Sequence, residues 1–469
     1  MKIAIIGAGI SGLSAAYYLT SLGKENDLDI EIDIFEKSGQ AGGNISTKIE
    51  DEFVIEEGAD SFITSKPWGV DLCEKLGIEE QLISTNDSNR KTYIYFDKKL
   101  NEIPEGFFLM APSNIEAFEK STFFSTEGKE RILKEQELEP LIDDVDESLE
   151  SFVLRRFGKE LLEKVAQPLI GGIYTGDPSK LSVKAILPEF VEFEKQHGSI
   201  IKGISKKYAS SDLSKTESGA RYGLFVSFKK GLSVLISSMI EAMPDVNIHY
   251  SSAINEVQSS KDKWLLNTES GNKIETDAVI FSLPSYISSK LLSKTDKELS
   301  GLLNEIRYES SIVVNLVFEK SKCSNLPEGF GVVIPNTEKM NLIACSFSSH
   351  KFSGRAPKDY EIIRCFLGGA FNRNVLALND FEIMKLVVED INTLFSIETK
   401  PINSFIYRYP NSMPQYTLGY NELLKNIRRE LGKYPLLSLS GNAYGGIGIP
   451  DSIKSGKDAA EYIFRNLAN

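Results

Sequence analysis

The chain has 469 residues, a net charge of −13, and 25% charged and 41% apolar residues. That length can bury substantial cores in two or three domains, and the composition is that of an ordinary globular protein. The acidic balance argues against nucleic acid as a partner and gives no general attraction to anionic membranes, so an anionic ligand would need a local basic site.

The first predicted element is an apolar strand, Lys2-Ile-Ala-Ile-Ile, which runs into Gly7-Ala8-Gly9-Ile10-Ser11-Gly12 and a helix. This Gly-x-Gly-x-x-Gly turn is a dinucleotide-phosphate cradle. Gly7 takes the tight turn, Gly9 lets backbone approach a pyrophosphate, and Gly12 lets the helix pack on the strand. The helix N-terminus adds N–H donors and partial positive charge. No charge occurs between Lys2 and Lys24, a length that hydropathy alone would allow as a membrane span or signal peptide. Four glycines, four hydroxyl residues and two tyrosines in that stretch favour a buried strand-turn-helix instead.

A second strand, Ile30 to Phe35, ends at Glu36, whose carboxylate could accept hydrogen bonds from ribose hydroxyls and would repel a 2′-phosphate. The polar stretch Lys24 to Asp29 accounts for the long spacing as a helix-to-strand loop. Gly39-Gln-Ala-Gly42-Gly43-Asn44 is a second close-approach site, and Gly58-Ala59-Asp60-Ser61 a third, after the short strand Phe53 to Ile55. A helix to Gly77 and a strand over Thr92 to Phe96 follow.

Between Pro104 and Leu181 the composition becomes helical. Leu149, Phe152, Val153, Phe157, Leu161 and Val165 form the stripe of one amphipathic helix. The acidic stretch Glu135 to Glu150 reads as a solvated face. The apolar run Gly106 to Pro112 is a candidate exposed patch, for a membrane or a lipophilic substrate mouth, with buried loop packing as the alternative. Gly171 to Pro178 reads as a glycine-rich loop, and Lys202 to Glu217 as a flexible surface loop.

The β-rich pattern then returns. Ile254 to Val257, Trp264 to Thr268 and Lys273 to Glu275 form a meander, and Asp277 to Leu283 is a buried strand stopped by Pro284. Strand-like runs at Ser311 to Phe318 and Glu361 to Leu367, with a helix over Phe381 to Phe395, predict a second sheet covered by helices. Pro435 to Ser440 enters Gly441-Asn-Ala-Tyr-Gly-Gly-Ile-Gly-Ile-Pro450 and a terminal helix, so strand, glycine turn and helix occur at both ends of the chain. Cys73, Cys323, Cys345 and Cys365 lack metal or redox spacing and read as reduced thiols. His197, His249 and His350 are far apart, which gives no support to a metal site or a histidine triad.

The two glycine-rich ends resemble the FAD-dependent amine oxidase and desaturase superfamily. Gln167-Pro-Leu-Ile-Gly-Gly-Ile-Tyr-Thr-Gly-Asp-Pro-Ser-Lys-Leu-Ser182, Phe228-Lys-Lys-Gly-Leu232, Ser412-Met-Pro-Gln-Tyr416 and Gly419-Tyr-Asn-Glu422 narrow the resemblance to the protoporphyrinogen and coproporphyrinogen III oxidases. It implies an α/β fold with α+β insertions: a Rossmann-like FAD-binding domain of the flavin amine oxidase/p-hydroxybenzoate hydroxylase type, a mixed-sheet substrate domain and a helical insertion. The implied divisions are 1–70, 228–290 and 430–469 for FAD, 71–103, 183–227 and 291–429 for substrate, and 104–182 for the helical part, the last a candidate membrane or partner contact.

The same resemblance implies FAD as cofactor. Residues Gly7 to Gly12 would hold the pyrophosphate, Glu36 and Lys37 the ribose, and Val257 the adenine by its backbone. Gly42 and Gly43 would let backbone approach the cofactor closely, Asn44, Gly58, Ala59, Asp60 and Ser61 would meet the ribityl and flavin side, and Ile447, Gly448 and Ile449 the isoalloxazine. Tyr409 stands where bacterial relatives often have Trp, and Lys66 where the family often carries a basic residue, here a candidate propionate anchor or a solvated lysine at a helix start.

The implied reaction is a six-electron, oxygen-dependent oxidation of coproporphyrinogen III or protoporphyrinogen IX in haem biosynthesis, by hydride transfer to flavin with hydrogen peroxide formed. No catalytic base is assigned and no metal is implied. The expected partners are the porphyrinogen, oxygen and the next enzyme of the pathway, and the expected location is the cytoplasm, with at most peripheral contact on the inner face of the membrane. The alternatives are another flavin oxidase, such as an amine oxidase or carotenoid desaturase, and a non-enzymatic protein like the GDP-dissociation inhibitors.

Overall fold

A computed structural model describes residues 1–86, 90–104, 106–141, 143, 145–209, 225–260 and 263–467. Five short strands form a fully parallel sheet in the order Asn247–His249, Glu31–Phe35, Lys2–Ile6, Ala278–Phe281 and Leu437–Leu439. The inner strands Lys2–Ile6 and Ala278–Phe281 are near-continuously hydrophobic because both faces are covered: Ile3 and Ile5 enter one core, Ala4 and Ile6 the other. Helix Ile10–Glu25 and the terminal helix Ile449–Leu467 cover one face side by side. In the terminal helix Ile449, Ile453, Gly456, Ala460 and Ile463 repeat at helical spacing and are all buried. A Cβ on Gly456 would lie 2.2 Å from the Ser11 carbonyl oxygen, so only glycine lets the first and last helices approach this closely.

A seven-stranded mixed sheet stands beside this unit, in the order Asn403–Pro414, Tyr308–Glu319, Tyr360–Gly368, Leu342–Phe347, Gly331–Val333, Thr92–Phe96 and Lys99–Glu102. Its pairings are antiparallel except between Gly331–Val333 and Thr92–Phe96. Helix Asp380–Phe395 starts at a capping box formed by Asn379 and Glu382 and lays Ile383, Val387, Ile391 and Leu394 on one face of this sheet. The other face looks toward the hairpin Thr47–Glu50 and Phe53–Glu56, where Ile55 packs on Val317 and Ile362.

The helical part differs from the sequence reading in five respects. The stripe from Leu149 to Val165 is buried at every position, but it is not one helix: Leu149–Arg156 stops at Gly158, which has φ +94°, and the chain resumes through Lys159–Leu161 into the π-helix Leu162–Gly171. That wider winding contains Pro168 and carries the first glycine of the supposed loop, so only the segment after Thr175 is a turn. Glu135 is not on a solvated face. It is fully buried against Arg156, and Ser199 Oγ and the Ile200 N–H donate to its oxygens, so the buried carboxylate is both paired and hydrogen-bonded.

The run Gly106 to Pro112 is not an exposed membrane patch either. Phe107, Met110 and Ala111 are buried in an aromatic cluster with Phe118 and Phe124, and only Phe108 and Leu109 reach a cavity. Finally, Lys202 begins no loop: Ile200–Ala209 is a helix, and residues 210–217 lie outside the described part. Helices Val183–Ile186, Pro188–His197 and Ile200–Ala209 share their core with the helices before residue 182 rather than with the seven-stranded sheet. Among the described residues no helix is long and apolar enough to cross a membrane.

Candidate active site

The N-terminal turn has the shape its glycines suggest. Gly7 takes φ +104°, donates its N–H to Phe35 O at 2.8 Å, and a Cβ there would lie 2.5 Å from Ser282 O. A Cβ on Gly12 would lie 2.0 Å from Gly7 O. Gly9 is different. It is extended, at φ −71° and ψ 174°, caps the first helix without a side-chain partner, and has no atom within 4 Å of where a Cβ would be. The open space therefore lies over Gly9 and the helix N-terminus, where a pyrophosphate would sit.

The other glycine clusters close on this turn. Gly42 N donates to Ala8 O at 2.8 Å, Gly9 and Gly42 form a parallel bridge, and a Cβ on Gly43 would meet Gly9 Cα at 3.3 Å. Glu36 is buried, with Oε2 accepting from Ala8 N and Oε1 from Ser38 N and Oγ, at 2.9, 2.9 and 2.7 Å. Its carboxylate is thus fixed beside the cradle with acceptor capacity left for a diol. Lys37 next to it is exposed.

Val257, on the strand Ile254–Ser260, is fully buried, and its carbonyl accepts from Thr295 Oγ1 at 2.8 Å with one lone pair left over. The segment that meets Glu36 is the one entering that strand, with Ser251 N bonded to Ser38 O and Ser252 N to Glu36 O.

The turn Gly58 to Ser61 packs under the second cluster: a Cβ on Gly58 would lie 1.9 Å from Asn44 O and 3.1 Å from the Tyr409 hydroxyl. Burial pushes the Tyr409 phenol up to about 12, so it stays protonated. Below the turn lies a buried ionic layer. Asp60 accepts from Lys351 Nζ at 2.9 and 3.2 Å and sits 3.5 Å from Arg364. Burial alone would raise its carboxyl, but Lys351 and Arg364 together hold it well below the usual range. Glu56 behaves in the opposite way. Burial outweighs Arg355, Thr47 Oγ1 and Leu232 N, and pushes it up to about 7.

Arg364 also donates to Gly58 O, and Asn315 Nδ2 to Glu56 O at 3.2 Å. The strand registers align Asn315, Arg364, Ser346 and Thr92 in one row across the sheet face that looks toward this turn. Each keeps one buried polar atom without a partner, namely Asn315 Oδ1, Arg364 Nε, Ser346 Oγ and Thr92 Oγ1. Native interiors rarely leave such groups unsatisfied without a reason. Arg364 and Asn315 were visible in sequence as polar residues inside apolar strands. Lys351 gave no such sign.

A cavity of about 1320 Å³ opens from here. Its floor brings together Ser61 to Ile63 from the N-terminal part and Gly445 to Asp451 from the C-terminal part, its walls include Ile170, Ile173, Tyr174, Leu187, Tyr416 and Tyr420, and Phe108 borders it. Tyr416 and Tyr420 stack with ring centres 4.2 Å apart. Tyr416 Oη accepts from Gly446 N at 2.9 Å and donates to Asn442 O, and Tyr420 Oη donates to Ala443 O. Two phenols therefore hold the glycine loop that precedes Ile447, Gly448 and Ile449.

Lys66 lines the cavity with a side chain 45% exposed, and Asp451 holds its ammonium through both oxygens, at 2.6 and 2.7 Å. Asp451 also accepts from Gly448 N at 3.3 Å. The four cysteines are buried thiols, and among the described residues no group of side chains is arranged to hold a metal ion.

Comparison with known proteins agrees with this geometry. The family described as "Flavin containing amine oxidoreductase" matches residues 10–464. Coproporphyrinogen III oxidase of Bacillus subtilis is 30% identical, with 98% of each chain covered, and that of Staphylococcus aureus is 30% identical with 99% of each covered. The crystal structure of an Exiguobacterium sp. 255-15 protein named for protoporphyrinogen oxidase superposes with a TM-score of 0.88 at 27% identity, over 100% of this chain and 99% of that one.

Proposed function

We propose that this chain, which belongs to the flavin-containing amine oxidoreductase family, is the enzyme that oxidises coproporphyrinogen III with molecular oxygen. It is an FAD-dependent porphyrinogen oxidase of haem biosynthesis. The observation that supports the choice of reaction is the cavity, whose floor is built from both ends of the cofactor cradle. Its volume, about 1320 Å³, exceeds the roughly 300–1,000 Å³ usual for drug-sized ligands and suits a tetrapyrrole. The preference for coproporphyrinogen III over protoporphyrinogen IX follows the two full-length bacterial relatives that carry that name.

FAD, when bound, supplies the two-electron acceptor that three successive oxidations of the ring require. The residues of the chain bind and orient. The open space at Gly9 takes the pyrophosphate, with Ala8, Ile10 and Ser11 around it, and Glu36 and Lys37 take the ribose. Asn44, Gly58, Ala59, Asp60 and Tyr409 border the ribityl and flavin end, and Ile447, Gly448 and Ile449 close it from the other terminus. Ser61 faces the cavity with its own proton committed to Asp60 Oδ1, at 2.7 Å, and with Lys351 Nζ donating to it at 3.0 Å. One lone pair remains, which makes Ser61 an acceptor for a pyrrole N–H. With oxygen as final acceptor the by-product is hydrogen peroxide. The protein works in the cytoplasm, next to the enzyme that uses the porphyrin.

The test is aerobic incubation of the purified yellow protein with each porphyrinogen while porphyrin fluorescence is followed. Coproporphyrinogen III should give the faster, oxygen-dependent rise. A faster rise with protoporphyrinogen IX would overturn the substrate assignment, and no rise with either would overturn the activity.

A further inference from the structure

Given the placement of the flavin end against the turn Gly58 to Ser61, on which this rests, we infer that Lys351, Arg355 and Arg364, buried beneath that turn, raise the reduction potential of the bound flavin. They hold positive charge in excess of what the protein supplies in return. The negative charge that the cofactor gains on reduction completes the balance.

The three cations come from one sheet and the segment attached to it. Arg364 stands in strand Tyr360–Gly368, Lys351 ends the short helix Ser348–Lys351, and Arg355 follows four residues later. Their side chains are 4, 11 and 1% exposed, and withdrawing charge from water this far is costly unless every ion is paired. Among the described residues two carboxylates answer them. Asp60 accepts from Lys351 Nζ and lies 3.5 Å from Arg364, and Glu56 lies 3.5 Å from Arg355. Burial pushes the Glu56 carboxyl up to about 7, so at neutral pH it answers Arg355 only in part. Glu57, next in the chain, is half-buried on the side of Tyr407 and Tyr409 and keeps contact with water, which screens it.

The hydrogen bonds show the same imbalance. Arg355 donates to Ser227 Oγ, and Ser227 Oγ in turn to the Asp60 carbonyl at 2.8 Å, yet Arg355 Nη1 and Arg364 Nε are buried with no acceptor. Donors without acceptors, on cations that outnumber their anions, mark a place that an incoming negative charge relieves. That place adjoins the flavin end directly: Arg364 donates to Gly58 O, and Lys351 Nζ to Ser61 Oγ at 3.0 Å, with Ser61 facing the cavity. Charges fixed by the fold need no reorganisation when the reaction occurs. Hydride transfer brings negative charge to the cofactor, so the layer favours the reduced form and makes the flavin a stronger oxidant of the macrocycle.

The experiment measures the midpoint potential of the FAD-loaded protein by dye-coupled reduction, for wild type, K351M, D60N, the double variant and K48Q. At an effective dielectric of about 20, a unit charge about 10 Å away shifts an equilibrium roughly tenfold. K351M should therefore lower the reduced-to-oxidised ratio at fixed potential about tenfold, roughly 30 mV for a two-electron couple. D60N should raise it by a like factor, and the double variant should return near wild type. K48Q removes a lysine charge that is 43% exposed on the strand Thr47–Glu50, and should leave the potential where it is. A purely structural role would move K351M and D60N in the same direction, so shifts of one sign, or none in either, would overturn the inference. Tyr409→Trp, against the same turn, should change the flavin absorption bands, and unchanged bands would instead overturn the placement of the flavin end.

Discussion

Gly9→Ala and Gly12→Ala should fail in opposite ways, and the contrast tests where the cofactor lies. At Gly9 the backbone is extended and any residue can adopt it, and the new methyl would meet no protein atom within 4 Å. The apoprotein should therefore be as stable as wild type, or gain about 0.4–1 kcal/mol from the restricted unfolded chain. A pyrophosphate over the helix N-terminus would meet that methyl directly. Overpacking of about 1–3 kcal/mol converts to a loss of FAD affinity of roughly 5- to 150-fold. At Gly12 the methyl would be driven to 2.0 Å from Gly7 O, a backbone atom that cannot swing aside. There the apoprotein itself should lose about 1–3 kcal/mol or more, because the first helix must lift off the sheet. Differential scanning calorimetry of the apoproteins and fluorescence titration with FAD separate the two. Wild-type FAD affinity in Gly9→Ala would refute the placement of the pyrophosphate, and an unstable Gly9→Ala apoprotein would refute the reading of that space as empty of protein.

Glu56 titrates near 7 in the folded chain against 4.5 unfolded, so the fold holds the extra proton between those values. Its contribution to stability is complete below about pH 4.5 and is lost as pH rises through 7, on the order of 3 kcal/mol; Glu56→Gln should flatten the thermal midpoint between pH 5 and 8 relative to wild type, and parallel profiles would sink the idea. Lys351→Met leaves Asp60 with Arg364, at 3.5 Å, as its only cation and with Ser61 Oγ as donor, and should cost about 1–3 kcal/mol, while Lys351→Met with Asp60→Asn should recover part of it in thermal unfolding; no recovery would mean that the pair is not what matters. Tyr416→Phe removes the acceptor of Gly446 N–H and the donor to Asn442 O, leaving buried groups unpaired at about 1–3 kcal/mol each; FAD affinity and flavin absorption band shape should both change, and unchanged values would show that the loop holds itself.

How much of this was legible depends on whether a feature is local. The glycines at 7, 42 and 446 stand where φ is +104°, +112° and +140°, conformations that other residues rarely adopt, so the cradle and its counterpart at the far end are visible in the chain itself. The inner strands Lys2–Ile6 and Ala278–Phe281 are equally legible, since burial on both faces demands unbroken apolar runs, whereas the edge strand Asn247–His249, exposed at both ends, carries no such run. Phe107 to Met110 illustrates the limit. An apolar run states that it wants to be buried, and whether lipid, substrate or protein buries it depends on Phe118 and Phe124 arriving from elsewhere. The amphipathic stripe after Leu149 was correct in its burial but could not reveal the interruption at Gly158 or the π-helical winding that follows.

What the sequence by itself determined is the cofactor and the kind of fold, because glycine conformations, apolar periodicity and a strand-end acid act within a few residues of one another. Only the tertiary structure decided what each charged side chain does. Lys66 is neutralised by Asp451, 385 residues away, Asp60 by Lys351, 291 residues away, and the carbonyl of Val257 accepts from Thr295. The strength of a charge or a hydrogen-bonding group depends on its partner and its exposure, and both are settled when distant segments pack.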